Sequence, residues 1–546
     1  MEERAGRFDY DWLVVGSGFG GSVSALRLAE KGYRVGVLEC GRRFRDDEIP
    51  RSTWDLRRYF WMPRLGMRGM MRITTFKDVA VVSGSGVGGG SLGYANTLYV
   101  PPRAFFVDPQ WGALNDWESA LAPHYAEAQR MLGVVVHGDD DPADDLLRQL
   151  GEELGVGETY RKTPVGVYFG RPGVTVPDPY FGGDGPARTG CTHCGRCMVG
   201  CPVGAKNTLV KNYLWFAERR GAQITPDRTV IDVRPLGAAD GSDGYAITHV
   251  PSGSWLEQDK VTVTARGVVV AAGALGTNRL LQRCRMKGSL PKLSRRLGEL
   301  VRTNSEAILA VTVPKDYADD LTQRIAITGS IYPDPNTHIE TVTYGKAGGA
   351  MSFMYTLLVG DGTRVTRPLK LLGAALRNPG RFVKLLWPGG WSRRTIIVLV
   401  MQTLDNAIAL RPRRALIGGG VRLQTEQDSA RPNPTFIPIA NQTAEWLAEK
   451  TGGVAQSSIM EAVNIPSTAH ILGGAAIGAT PQDGVVDARQ RVYGYENLLV
   501  CDGAAVPANV GVNPSLTITA MAEHAMSHIP PASATPAPPE PVAAPA

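Results

Sequence analysis

"DWLVVGSGFGGSVSALRLAEKGYRVGVLECGRR" occupies residues 11–43. Leu13, Val14 and Val15 predict a short buried strand. Gly16, Gly18 and Gly21 follow as G-x-G-x-x-G. Residues 22–31 predict a helix that Gly32 ends, and Val35–Leu38 predict a second strand that stops at Glu39. Strand, glycine turn, helix, strand and acid together are the context in which this motif binds a dinucleotide. The first glycine makes the turn, the second lets backbone approach a pyrophosphate, and the third packs helix on strand. The helix N-terminus brings the positive end of its dipole. Glu39 stands where a carboxylate holds ribose hydroxyls and would repel a 2′-phosphate. Arg42 and Arg43 are therefore read as a solvated surface pair.

Three distant segments extend the same site. "VVSGSGVGGGSLGYANTLYVPP" (81–102) is a second glycine loop whose backbone could lie flat against a cofactor, with Gly86, Gly89, Gly90 and Asn96 as binding candidates. "VVVAAGALGTNRLL" (268–281) predicts a buried strand, a glycine turn and a helix start. "NLLVCDGAAVPANVGVNPSLTITAMAEHAM" (497–526) predicts a strand, then Asp502 and Gly503, then an apolar helix. A cofactor contacted from four remote stretches is extended, which favours FAD over NAD.

The composition bounds the rest. The 546 residues suffice for two or three domain-sized units. A net charge of +6 is mild for this length and gives no reason to expect nucleic acid. No apolar run is long enough for a membrane span. A nucleotide-binding strand beginning near Trp12 leaves no room for a signal peptide, so a cytoplasmic protein is expected. Residues 531–546 are Pro/Ala-rich and predict a disordered tail.

These four segments, with "VPDPYFGGDGPARTGC" (176–191), "GAKNTLVKNYL" (204–214), "TNSEAI" (303–308) and "GVNPSLTITA" (511–520), resemble the glucose–methanol–choline (GMC) oxidoreductase family in order and along nearly the whole chain. Within it the chain is most similar to the cholesterol-oxidase-like members of actinobacteria. The resemblance implies an α/β fold: a discontinuous Rossmann-type FAD-binding domain (8–105, 186–300 and 456–530) and an α+β substrate domain with a mainly antiparallel sheet (106–185 and 301–455). It also implies FAD, bound non-covalently or covalently, and oxidation of an alcohol carbon by hydride transfer; no residue favours a covalent link, so a non-covalent one is expected. His470 in "TAHILGGAAIG" and Asn513 in "GVNPS" match the family's catalytic positions, so His470 is expected to act as base or orienting donor and Asn513 to position the substrate oxygen. Cholesterol oxidases also carry a glutamate on the substrate-domain sheet that moves the steroid double bond. Glu340 and Glu461 are candidates for it, while "WSRRTIIVLVMQ" (391–402), where it is expected, holds no acid.

"CTHCGRCMVGCP" (191–202) does not belong to that pattern. Cys191, Cys194, Cys197 and Cys201 have the C-x2-C-x2-C-x3-C-P spacing of a ferredoxin segment. Three readings stand: metal-free thiols, zinc, or one iron–sulfur cluster. Zinc is disfavoured because its usual two-knuckle site has wider spacing. A cluster resembles certain bacterial GMC sugar dehydrogenases, in which it relays flavin electrons.

Two stretches concern the substrate. "WDLRRYFWMPRLGMRGMMRI" (54–73) mixes basic and aromatic residues. Residues 364–394 hold eight basic residues and no acidic one, with Leu, Phe and Trp near helical spacing. Such a lid suits peripheral membrane contact. The leading expectation is oxidation of a sterol or other bulky apolar alcohol. Its alternatives are a dehydrogenase passing electrons to a protein or quinone, and a non-catalytic flavin-containing lipid binder.

Overall fold

The computed structural model describes residues 8–254, 257–385, 387–414 and 420–534. Most of the predicted 531–546 tail lies outside them. Tyr10–Val15 is a strand buried from Trp12 onward. The helix begins at Phe19, three residues earlier than the sequence suggests, with Gly18 as its N-cap and Gly20 and Gly21 in its first turn. Glycines conceal a helix start from pattern reading because their own propensity opposes it; here packing overrides that. A Cβ at Gly20 would lie 1.6 Å from the Cys501 carbonyl oxygen, and one at Gly21 would lie 2.1 Å from that of Gly16. The helix therefore sits closer to the sheet than any side chain allows.

Tyr10–Val15 is the centre of a seven-stranded sheet. Val35–Leu38 and then Gln223–Thr225 run parallel on one side of it. On the other, the long strand Val261–Val270 runs parallel to it, and Leu498–Val500 runs parallel to Val261–Val270. Tyr245–Pro251 and Arg228–Pro235 continue the sheet antiparallel. Val15, Leu38, Val270 and Val500 end on the same edge, so Gly16, Glu39, Ala271 and Asp502 are collected there from four parts of the chain. In open α/β sheets this carboxyl edge is where ligands bind.

A second, wholly antiparallel sheet runs in the order Tyr355–Leu357, Val454–Ser458, Ala307–Thr312, Thr395–Gln402, Thr337–Val342, Ile327–Asp334, Arg161–Lys162. Side chains alternate across it. Ile339, Val398 and Leu309 join the core beneath helices Pro142–Glu153 and Pro438–Thr451. Glu340, two residues from Val342, points to the opposite face, where Val342, Leu399 and Met401 meet Tyr59 and Met71. That face is apolar apart from a few buried polar groups. Among the described residues no helix is long and apolar enough to cross a membrane.

Candidate active site

The glycine loops test whether a dinucleotide fits. Gly16 has φ +99°, and a Cβ there would strike the Ala271 carbonyl oxygen at 2.3 Å, so this glycine serves the turn. A Cβ at Gly18 would meet nothing closer than the Gly89 Cα at 4.0 Å. Gly18 therefore keeps room that the protein itself leaves free. Gly89 touches Gly18 from the second loop, and Gly86, with φ +130°, closes over Arg42 and Phe44. Gly90 follows Gly89 in the same 3-10 turn.

Glu39 is buried. Its Oε2 accepts from the Ser17 N–H (3.0 Å) and hydroxyl (2.8 Å), and its Oε1 accepts from the Gly41 N–H (2.8 Å). These donors fix the carboxylate at the end of its strand. Arg43 pairs with Glu218 near the surface. Arg42 departs from the solvated-pair expectation. It folds over the Phe44 ring at 4.2 Å, with Nε and Nη2 buried and unpartnered, because the loop bends it inward beside Gly86. Asn96 is fully buried with φ +74°, and both polar atoms of its amide lack a partner. Buried polar groups without a protein partner, such as these of Arg42 and Asn96, are what a polar cofactor would complete. Asp502 accepts from the Thr277 hydroxyl (2.5 Å) and the Ala504 N–H (2.8 Å), and burial pushes its carboxyl up to about 6. Gly503 accepts the Gly473 N–H at 2.7 Å, tying this edge to the His470 loop.

His470 is held from two directions. Leu472 pairs with Arg302, and Gly473 (φ +75°) has no space for a Cβ beside the Leu300 carbonyl. The residues just beyond Arg302 supply an acid that sequence reading did not assign. Glu306 Oε2 accepts from the Thr468 hydroxyl (2.6 Å) and the Ala469 N–H (3.1 Å), which leaves Oε1 3.2 Å from His470 Nδ1. Its partners hold one oxygen in place and leave the other within ion-pair distance of the imidazole.

The same turn holds Asn513. Asn304 (φ +63°) accepts the Gly511 N–H at 2.7 Å and donates to the Val512 carbonyl at 3.0 Å. Asn513 is buried, and its Nδ2 donates to Glu340 Oε2 at 3.4 Å while its Oδ1 has no protein partner. Burial pushes the Glu340 carboxyl up to about 8. The Asn513 hydrogen bond opposes that shift and the nearby Glu306 charge adds to it. Of the two glutamates weighed from sequence, Glu340 thus joins the site. Glu461 is buried elsewhere, near Arg367, and is pushed up to about 7 by burial. The missing acid of 391–402 is explained by register: Glu340 pairs across the strands with Leu399. One strand carries the apolar wall and its neighbour carries the acid.

All four cysteines of the ferredoxin-like segment line one small pocket, together with Asn96, Val167, Lys206 and Ile325. All seven cysteines are free thiols. Burial and the neighbouring sulfurs push the Cys191 thiol up to about 12, and burial pushes Cys197 to about 11. Lys206 Nζ donates to the carbonyls of Leu92, Tyr94 and Cys197 at 3.1, 2.7 and 2.9 Å. Burial pulls its ammonium down to about 7. Among the described residues no three Cys, His, Asp or Glu side chains are poised around one metal position.

Comparison with known proteins agrees with this geometry. Models of the GMC oxidoreductase family match residues 186–299 and 397–522. A cholesterol oxidase of Mycobacterium tuberculosis (strain ATCC 25618 / H37Rv) is 53% identical over 531 residues, covering 95% of this chain and 91% of that protein. A cholesterol oxidase of Acinetobacter baumannii is 44% identical over 530 residues, covering 96% and 95%. The crystal structure of a pyridoxine 4-oxidase from "Mesorbium loti" shares the fold, with a TM-score of 0.57 at 17% identity over 95% of this chain and 99% of that one. Two family models and identities of 53% and 44% along nearly the whole chain show that the chain belongs to the GMC oxidoreductase family, as an FAD-dependent oxidoreductase of CH–OH donors.

Proposed function

We propose that this enzyme oxidises the secondary hydroxyl of a sterol, or of a similarly bulky apolar alcohol. The observation that carries this reading is the 53% and 44% identity to two cholesterol oxidases along nearly the whole chain. The apolar wall of Tyr59, Met71, Leu399 and Met401 around Glu340 and Asn513 suits such a substrate. Gly16, Gly18, Gly21, Glu39, Gly86, Gly89, Gly90, Asn96, Asp502 and Gly503 would hold FAD, which supplies the hydride acceptor when bound.

The protein's own groups do the rest. Glu306 beside Nδ1 favours the tautomer with its proton there, which leaves His470 Nε2 as the acceptor for the alcohol proton. Asn513 orients the substrate oxygen with the polar groups that the protein leaves unpartnered. Glu340, with a carboxyl near neutrality, takes a proton from the carbon between ketone and double bond and returns it further along, so isomerisation follows oxidation.

The test is anaerobic mixing with cholesterol followed by air. Flavin bleaching and then rapid reoxidation with peroxide are expected. An unbleached flavin refutes the substrate, and slow reoxidation without peroxide refutes the oxidase.

A second reading rests on the pocket that all four cysteines line beside Asn96. In it Cys191, Cys194 and Cys197, with or without Cys201, would have to move together from their present positions to hold one iron–sulfur cluster, which would supply electron transfer to an acceptor protein or a quinone. Iron analysis and EPR of anaerobically purified protein test it, and an iron-free protein active as an oxidase removes it. Seven free thiols fit a cytoplasmic protein, one that meets its apolar substrate at the membrane surface.

A further inference from the structure

The helix Thr366–Arg377 is built inside out for a protein in water. Its one fully buried residue is an arginine. Arg367 donates to the carbonyl of Thr435 at 2.7 Å and lies 3.3 Å from that of Val359, which pins the helix by its polar side. Val365, Leu369, Leu372 and Leu376 repeat at the spacing of one helical face. All four are exposed, Leu376 by 73%.

The apolar surface continues past this face. Helix Pro379–Leu385 presents Val383, and Trp387 beyond it is 76% exposed. The short helix Ile459–Ala462 touches both Thr366–Arg377 and the turn Gly349–Met354, and it adds exposed Ile459. Trp54 and Phe353 meet edge to face at 5.8 Å with half of each exposed. Around these residues Lys370, Arg377, Arg381 and Arg393 are exposed, and 364–394 has no acid.

We infer that this face docks on an anionic lipid surface, with the leucine row and Trp387 in the interface and the basic residues against headgroups. Apolar residues on one helix face with lysine and arginine around them are the pattern of interfacial helices, and basic residues near a bilayer gain from anionic lipid. A second copy of the chain is a poorer occupant, because a two-fold interface would press the same basic residues together. The inference deepens the apolar-alcohol reading by naming where such a substrate is met, but its test needs no substrate.

Holoenzyme is sedimented with sterol-free vesicles of phosphatidylcholine, alone or mixed with phosphatidylglycerol. It is expected to pellet with the mixed vesicles, less so at high salt. The triple variant Leu369→Ser, Leu372→Ser, Leu376→Ser, whose positions are exposed, is expected to bind roughly tenfold more weakly or worse. Wild type left in the supernatant, a variant that binds equally well, or a dimer in sedimentation velocity that the variant dissolves would each overturn the inference. Oxidation of detergent-dissolved sterol, measured separately, tells its failure from failure of the substrate reading.

Discussion

Glu306 Oε1 lies 3.2 Å from His470 Nδ1, and nothing in the sequence distance between them suggests it. Glu306 precedes a strand of the seven-stranded antiparallel sheet, while His470 lies between the short strands Ser467–Thr468 and Leu472–Gly473, which belong to other sheets. In the proposed mechanism this contact makes Glu306 a positioning residue. Glu306→Gln keeps the size and removes the charge. Flavin reduction by substrate is expected to slow roughly tenfold to a hundredfold, with flavin content and melting temperature near wild type. His470→Ala is expected to lose more, roughly a hundredfold to ten-thousandfold. Equal rates for Glu306→Gln and wild type would exclude the role.

Glu340 gives a pH dependence with a definite sign. Its carboxyl titrates near 8 in the folded protein and at 4.5 when unperturbed. Between those values the unfolded chain has released a proton that the folded one retains, so this group's contribution to stability falls as pH rises. Glu340→Gln is expected to be more stable than wild type at pH 8 by on the order of 1–4 kcal/mol, with the difference vanishing below pH ~4. Chemical denaturation at two pH values measures it.

In the proposed isomerisation the carboxylate form of Glu340 is the active one. The ratio of isomerised to unisomerised ketone is expected to rise as pH passes about 8. Glu340→Gln should release the unisomerised ketone while flavin reduction continues. Chromatography of products distinguishes this from a role in oxidation, which would abolish both.

Gly16 and Gly18 look alike in the motif and should behave differently. Gly16→Ala forces a Cβ into the Ala271 carbonyl at positive φ, so misfolding is expected. In Gly18→Val the added Cβ meets no protein atom closer than 4.0 Å, and the variant should fold but purify with little flavin. Absorbance at the flavin band together with circular dichroism separates the outcomes. A flavin-replete Gly18→Val would refute the cradle.

The parallel sheet was legible from residues 11–43 because its signals are local. A strand, a glycine turn and a helix are written within thirty-odd positions, and steric rules fix what they can form. The helix start at Phe19 was not, since close packing against Cys501 tolerates only glycines there. His470 and Asn513 were legible through a resemblance, not through pattern. Glu340 was visible as an acid among β-branched residues, but its partner was not.

The sequence by itself determined the dinucleotide-binding turn, the run of four cysteines and the basic, acid-free stretch 364–394, since each depends on residue types at fixed short spacings. Only the tertiary structure decided that Glu306 faces His470, that Glu340 rather than Glu461 reaches Asn513, and that the leucines of Thr366–Arg377 turn outward while Arg367 turns in. Those relations join strands far apart in the chain. They are set by sheet register, burial and the need of each buried polar atom for a partner, which no local stretch encodes.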